Sequence, residues 1–198
     1  MRYIVLVFLG LVFAGCTIKE LPITEYKIDI DIPIKKSISK ECKTKSLKIS
    51  QGFSNTKLKT LNMNYAQGKN KIYTYTQSIW AEAPNEAITS EVLKMLRDKQ
   101  IFKTVQSSKS RLKSDLILEI TIERFMQSFD EDLKNSYADI FLNFTIIDAN
   151  TNKVVSSKSF KAKEISNTLD AIGGVKALNQ ALSRVLSDSM DWFEEVCR

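Results

Sequence analysis

The sequence of 198 residues contains no histidine. This absence excludes Ser-His-Asp and Cys-His catalysis, histidine-based metal sites and the most common general base. The three cysteines lack CxxC spacing, so neither zinc binding nor thioredoxin-like chemistry is indicated. The pair Gly173-Gly174 fits neither the GxxxxGK[ST] nor the GxGxxG phosphate-binding pattern. We therefore predict that the chain is not an enzyme, and we expect no cofactor and no metal.

Two groups of carboxylates are the remaining chemical candidates. The run Asp130-Glu131-Asp132 could bind a cation, but it lacks the ligand spacing of a calcium loop, so a solvated loop is favoured. Glu119 and Glu123 fall on the outer face of a predicted strand, and spacing alone does not make them a glycosidase pair. Neither group changes the prediction of a non-catalytic protein.

Strong charge bias is also missing. Lys and Arg number 29 against 23 Asp and Glu, a net charge of +6, and 43% of the residues are hydrophobic. These values are typical of a globular protein, and the length fits one domain with short appendages. No Lys/Arg run is dense enough for a nucleic-acid-binding arm, and mild basicity is also compatible with anionic lipid headgroups.

The chain has no apolar run long enough to span a membrane. The apolar stretch at residues 4–14 follows Arg2 and is far shorter than the ~20 residues that a spanning helix needs. It therefore predicts a cleaved signal peptide at residues 1–15. Residues 16–25 would then form a lipidated N-terminus and tether, and residues 26–198 the folded domain.

The end of this signal resembles the bacterial lipobox. Phe13-Ala14-Gly15 precedes Cys16, with Phe13 at the position where leucine is usual. Cleavage would leave Cys16 as the new N-terminus, with its thiol carrying diacylglycerol and with acyl chains such as palmitate holding it on the membrane. Thr17, rather than aspartate, follows this cysteine, and the bacterial sorting rule then favours the periplasmic face of the outer membrane. The alternative is a secretory signal with an accidental cysteine.

Two further cysteines remain in the mature chain, Cys42 and Cys197. An even pair in an oxidising compartment suggests a disulfide that closes most of the domain into one loop. The alternative is two unpaired thiols, because the sequence does not give the distance between them.

Hydrophobic periodicity predicts an α+β fold. Strands are indicated by alternation at 26–32, 46–50, 61–65, 72–80, 102–105, 116–123, 137–148 and 154–165, and a turn at 67–70 predicts a hairpin. Helical spacing covers 85–99 and 169–193, and residues 51–60 and 125–134 read as loops. The predicted fold class is a mainly antiparallel mixed sheet with two principal helices packed on one face, after a cleaved N-terminal lipoprotein signal.

The corner between the strand at 72–80 and the first helix is the most distinctive stretch. Pro84 lacks an N–H and would end the strand, and Asn85 follows as the expected N-cap of the helix. We predict that Trp80 and Pro84 shape this corner, rather than contact a partner directly.

Several stretches carry a family resemblance. They are the strand at 26–32, the corner Ser78-Ile79-Trp80-Ala81-Glu82-Ala83-Pro84, the helix ending before Phe102, the strands at 116–125 and 138–148, and the helix reaching Trp192. Their order and spacing resemble the ABC-type transport auxiliary lipoproteins, the PqiC-like family, over nearly the whole mature chain. The block most recognisable in that family is a tyrosine-rich strand leading to an RWAEP-like corner. Here it reads IWAEAP, with Ile79 in place of the arginine and Ala83 inserted before Pro84.

The resemblance implies an accessory component of a lipid transport system. Such lipoproteins act with an ABC permease and ATPase in the inner membrane and with an MCE-domain protein that extends toward the outer membrane. This chain would dock the MCE assembly or receive its phospholipid cargo, and homo-oligomerisation into a ring fits that role. The alternative is an envelope-assembly lipoprotein, a pilotin or an assembly chaperone for an outer-membrane complex, which would share the anchor and the lack of catalytic residues.

Overall fold

The computed structural model describes residues 21–33 and 41–197. The predicted signal peptide, Cys16 and the first part of the predicted tether lie outside these described residues. No helix within the described ranges is both long and apolar enough to cross a membrane.

The described residues form nine strands and two α-helices. The strands are β1 (Thr24–Tyr26), β2 (Ser46–Ile49), β3 (Phe53–Ser54), β4 (Asn62–Gln67), β5 (Lys71–Trp80), β6 (Thr104–Ser107), β7 (Leu116–Phe129), β8 (Ser136–Asp148) and β9 (Lys153–Ile165). The helices are α1 (Pro84–Lys99) and α2 (Ala171–Glu195), and short 3-10 turns occupy Glu41–Thr44 and Thr56–Lys59. The predicted α+β class, with a mixed sheet and two main helices, is confirmed.

The long strand β7 is the centre of the sheet. Along one edge it pairs antiparallel with β8, and β8 pairs antiparallel with β9, as the predicted meander requires. Along its other edge β7 receives β2, β3 and β4 one after another, each of them parallel to it. Beyond them, β6 pairs with β2, while β5 and then β1 continue the sheet from β4.

Alternating side chains place the core on one face of this sheet. Leu118 and Ile120 of β7 and Leu142 and Phe144 of β8 are fully buried, and the two helices cover them. Residues of the opposite phase stay partly accessible on the face that carries no helix. Antiparallel strands with one buried face produce this alternation, which is why the sequence pattern located these strands well.

A β-bulge makes β7 longer than its sequence pattern predicts. The register with β8 shifts between Ile122 and Arg124, so Glu123 and Arg124 are both exposed and Phe125 returns to the core. An extra residue in one strand shifts the period-two alternation by one position, so the sequence pattern breaks at the bulge although the strand continues. The predicted loop at 125–134 is therefore wrong in its first half, because β7 continues to Phe129.

The predicted strand at 26–32 is a strand only at its beginning. β1 ends at Tyr26, yet Ile28 and Ile30 remain buried in alternation. The backbone here bonds to α2 instead of a strand, since Asp29 N donates to Asn179 Oδ1 at 3.4 Å and Ser183 Oγ donates to the carbonyl of Asp31 at 2.9 Å. The alternation therefore comes from burial against the helices, not from sheet pairing.

The corner differs from its prediction in the position of the helix cap. Helix α1 begins at Pro84, with Ala83 as the N-cap residue and no side-chain cap bond, so the prediction of Asn85 as N-cap is wrong. Proline suits the first helical position, because an N–H there has no partner within the helix. Asn85 is instead buried in the first turn.

Helix α2 begins against the sheet. Asp170 is its N-cap, accepting from the N–H of Gly173 at 2.9 Å and from the hydroxyl of Thr168 at 2.6 Å. A Cβ on Gly174 would overlap the side-chain amide of Gln127 on β7. The absence of a side chain at residue 174 therefore allows the first turn of α2 to contact β7.

Candidate functional site

The Trp80 corner is packed into the core. Trp80 is 4% exposed and its ring lies 5.9 Å from that of Phe125 between centroids. Its backbone N–H donates to the carbonyl of Leu61 at 2.8 Å, and the N–H of Ala81 donates to the carbonyl of Tyr26 at 2.7 Å. Pro84 is buried as well. These contacts are those of a residue that fixes the chain's turn from β5 into α1, and the shaping role stays a prediction that mutagenesis can test.

Cys42 and Cys197 are joined by a disulfide, with Cα atoms 5.3 Å apart. Cys42 lies in the 3-10 turn before β2 and is 1% exposed, whereas Cys197 follows the C-terminal end of α2. The bond attaches the end of α2 to the entry of the sheet. Its position beside buried aromatic residues of α2 is that of a structural disulfide.

The acidic run at 130–132 closes a loop. Asp130 accepts hydrogen bonds from Asn135 Nδ2 and from the backbone N–H groups of Lys134 and Asn135, and these bonds lower the pKa of its carboxyl. Glu131 lies 3.6 Å from the Lys71 amine, and Asp132 lies 3.7 Å from that of Lys134. Across the described residues no group of three or more Asp, Glu or Cys side chains is arranged to hold a metal ion.

A buried polar network was not indicated by the sequence. Gln127, 1% exposed, accepts from the Tyr75 hydroxyl at 2.9 Å and donates to Ser136 Oγ at 3.0 Å and to the carbonyl of Asp170 at 3.3 Å. Burial raises the pKa of Tyr75. The network joins β5, β7, β8 and the start of α2. The sequence indicates this network only through Gln127. Its position in the alternation of β7 faces the core once the extra residue of the bulge is counted.

An aromatic cluster adjoins this network. The ring of Tyr65 lies 5.5 Å from that of Tyr73, 4.6 Å from Tyr75 and 5.3 Å from Phe129. These residues occupy the end of the sheet where β4 turns into β5 and where β7 ends. The tyrosine-rich strand noted in the sequence thus supplies one wall of this end of the domain.

The helix-free face of β7, β8 and β9 is a candidate surface for a partner, since these three long strands pair along most of their length. Asp139 lies on it, paired with Arg124 at 2.6 Å and with Lys163 at 3.9 Å. The amine of Lys161 sits 4.2 Å from the centre of the Phe141 ring. Partly exposed aromatic rings are enriched in protein interfaces, so this face is a candidate for partner contact.

The outer edge of β9 has no strand partner within the described residues. Four lysines lie along this strand, at positions 153, 158, 161 and 163. Lysines on an edge strand oppose indiscriminate strand pairing, because a neighbouring strand would bury their charge. A partner is thus better received on the open face than along this edge.

A family model described as "ABC-type transport auxiliary lipoprotein component" matches residues 45–188. This range covers most of the chain, from the start of β2 into α2. The chain belongs to this family. The auxiliary lipoprotein domain so defined includes the Trp80 corner, the Gln127 network and the open face, whereas both disulfide cysteines lie outside the matched residues.

Solved structures share the fold of this auxiliary lipoprotein. Protein XCC0632 from Xanthomonas campestris, of the DUF330 family, has 18% identity and a TM-score of 0.78, covering 87% of this chain and 96% of that one. An uncharacterized protein has 12% identity and a TM-score of 0.65, covering 87% and 99%. The hypothetical protein CT253 from Chlamydia trachomatis has 9% identity and a TM-score of 0.51, covering 78% and 98%. No curated protein matches the chain by sequence.

Proposed function

We propose that this protein is a non-catalytic lipoprotein of the outer membrane, facing the periplasm, and an accessory component of an MCE/ABC-type lipid transport system. The observation that carries the proposal is the family match over residues 45–188, because the family is described as an auxiliary component of ABC-type transport. The lipobox-like residues before Cys16 supply the anchor, and the lack of histidine throughout the sequence agrees with a role without catalysis.

The partners in this proposal are an MCE-domain protein, its ABC permease and ATPase, and the membrane that holds Cys16. Phospholipid is the cargo, and no nucleic acid is involved. The open face supports docking, since its charge pairs and its ring contacts with Lys161 and Lys163 offer a partner specific polar and aromatic contacts. Self-association of this domain into an oligomer belongs to the same proposal.

Photocrosslinking in cells tests the proposal. A photoreactive residue replaces Asn143 on the open face, and the control replaces Ser187, which is exposed on α2 away from the sheet. Capture of an MCE-domain protein from position 143 but not from position 187 supports the proposal. Capture of a secretin or an outer-membrane barrel protein instead favours the envelope-assembly alternative. Recovery of no MCE protein and no transporter ATPase from either position overturns the transport role.

The anchor is tested separately. Mass spectrometry of the mature protein should find acyl chains on Cys16, and Cys16→Ser should release the protein from the membrane fraction. A Cys16→Ser protein that stays in the outer membrane fraction contradicts the lipoprotein assignment.

A further inference from the structure

One end of the domain collects six exposed hydrophobic side chains. This end is formed by the β4–β5 turn, the loop 130–135, the segment 165–170 and the first turn of α2. The strand registers bring these pieces together, since Gln67 pairs with Phe129, Phe129 with Ser136, and Tyr137 with Ile165. The hydrogen bond from Gln127 Nε2 to the carbonyl of Asp170 adds the start of α2. We call it the tyrosine end, after the cluster of Tyr65, Tyr73 and Tyr75 that lies there.

Six exposed residues of the tyrosine end form an apolar group. They are Ile72, Tyr73, Leu133, Ile165, Leu169 and Ile172. Each is at least 42% exposed, and Ile165 reaches 80%. Single exposed hydrophobic residues are ordinary, but several at one end of a small domain mark a contact surface.

The charges of the tyrosine end nearly balance. Lys71 pairs with Glu131, and Lys134 pairs with Asp132. The carboxylate of Asp130 accepts hydrogen bonds from the backbone N–H groups of Lys134 and Asn135 in the same loop. No strong field of one sign therefore opposes the approach of a phospholipid surface to this end.

The length of the tether decides what covers these residues. Strand β1 runs parallel to β5 with Thr24 opposite Ser78, so Leu21 lies about level with Tyr75. That is ~13 Å short of the start of β5 at Lys71, at a rise of ~3.3 Å per residue. Cys16 precedes Leu21 by five residues, and five residues span at most ~18 Å when fully extended. An acylated Cys16 can therefore stand at most ~5 Å beyond the level of Lys71, where β5 begins.

A tether this short excludes orientations in which the opposite end of the sheet faces the membrane. The opposite end of the sheet, where β8 ends at Asp148, is 13 residues or ~40 Å from the tyrosine end along the strand. The tyrosine end is therefore the end of the sheet nearest the membrane that would hold Cys16. Leu21 and Ile23 are also exposed and lie about level with Tyr75 and Gln77 of β5, on the segment that leads toward this end.

We propose that the tyrosine end rests in the headgroup region of the anchoring membrane, with its six apolar residues in contact with phospholipid. The occupant is a bilayer surface of phosphatidylethanolamine and anionic phospholipid. Tyr73, the exposed member of the cluster, suits this interfacial layer, because a tyrosine ring is apolar and its exposed hydroxyl stays hydrated. The apolar contacts give the anchor a second attachment, so that the domain stands upright instead of rotating on its tether. This inference rests on the proposed acylation of Cys16.

The test uses the acylated full chain in vesicles of phosphatidylethanolamine and phosphatidylglycerol that contain a brominated phospholipid. An NBD fluorophore is attached at Leu133→Cys or, as the matched control, at Leu112→Cys. Leu112 is equally apolar, is 66% exposed, and lies at the opposite end of the sheet, before β7 begins. We expect bromine to quench the label at position 133 and to leave the label at position 112 unquenched.

Further variants make the result decisive. Ile165→Ser combined with Leu169→Ser should reduce quenching at position 133 toward the level at position 112, while Leu112→Ser should not. Vesicle-bound acylated protein with equal quenching at both positions overturns the inference but leaves the anchor intact. A label at position 133 that is already shielded without vesicles points to a second protein copy and also overturns it. Mature protein without acyl chains refutes the lipoprotein proposal itself, and the inference with it.

Discussion

Removal of the disulfide between Cys42 and Cys197 should lower the stability of the domain substantially. The bond joins residues separated by 155 positions, and the closed loop holds every element from β2 to α2. In the chain-entropy model a loop of this length stabilises the native state by about 5 kcal/mol, because the unfolded chain loses that conformational freedom. Native-state effects commonly reduce the measured value, so we expect a loss of about 3–5 kcal/mol.

The double variant Cys42→Ala, Cys197→Ala is the suitable perturbation. Cys42 is 1% exposed, and serine there would add the cost of a buried hydroxyl to the effect of the missing bond. Urea unfolding followed by circular dichroism should show a lower free energy of unfolding. The m-value should rise, because an unfolded chain without the cross-link exposes more surface.

Wild-type protein under a reducing agent provides the control for the side-chain change itself. Its urea midpoint should fall close to that of the alanine variant. The reasoning is refuted if reduction leaves the wild-type midpoint unchanged, or if the alanine variant loses less than about 1 kcal/mol with an unchanged m-value. Alkylation of both thiols in the native extract would show that no bond forms.

Three further substitutions test individual contacts in the same unfolding assay. Trp80→Ala should cost about 3–5 kcal/mol because it empties a buried ring site, with Trp80→Phe costing less; an unchanged melting temperature with lost partner binding would instead assign Trp80 to an interface. Gly174→Ala should destabilise by about 1–3 kcal/mol through its clash with Gln127, whereas in a Gln127→Ala background it should be neutral or stabilising; equal effects in both backgrounds would exclude the clash. Asp170→Ala should cost about 1 kcal/mol as a lost N-cap, and Asp170→Asn much less. The hydrogen bond from Thr168, the larger cause, and that from the N–H of residue 173 lower the pKa of Asp170. Its contribution is therefore present above the pKa of an unfolded carboxyl and is lost as the pH falls through the lower folded value. Asp170→Asn should flatten this acid-side loss, and an unchanged pH dependence would contradict the assignment.

The sequence predicted the meander and the two helices because each of these elements buries one regular face. Strands β7 to β9 alternate over long stretches, and α2 repeats its apolar residues at helical spacing over 25 residues. Such periodicity depends only on positions that are close in sequence, so it can be recognised without any knowledge of tertiary contacts. The short strand β3, by contrast, has two residues and no pattern of its own.

The errors arise where a local sequence pattern has a different structural cause from the one that we expected. Ile28 and Ile30 alternate like a strand, but helices bury them. The bulge after Ile122 interrupts the alternation of β7 while the strand continues. At the start of α1, Asn85 is of a residue type that is common at N-caps. The helix nevertheless begins one residue earlier, at Pro84, which has no N–H that a cap could satisfy.

The candidate surfaces could be predicted only in part. Trp80 and the cysteine pair stood out by residue type. Gln127 and Tyr75 are 52 positions apart in the sequence, so no local pattern predicts the hydrogen bond between them. The tyrosine end is likewise assembled from four separate stretches of the chain, so its apolar character emerges only when the sheet is formed.

The position of the disulfide also divides the domain mechanically. The covalent loop begins at Cys42, so the N-terminal arm at residues 21–33 lies outside it. A pull transmitted through the proposed membrane anchor would reach the fold first at β1, which is held to β5 over only three paired positions. We expect those few backbone bonds to break first, followed by the contacts of residues 28–31 with α2, before force reaches Cys42. The arm before Cys42 should therefore detach at a lower force than the disulfide-closed body needs to unfold.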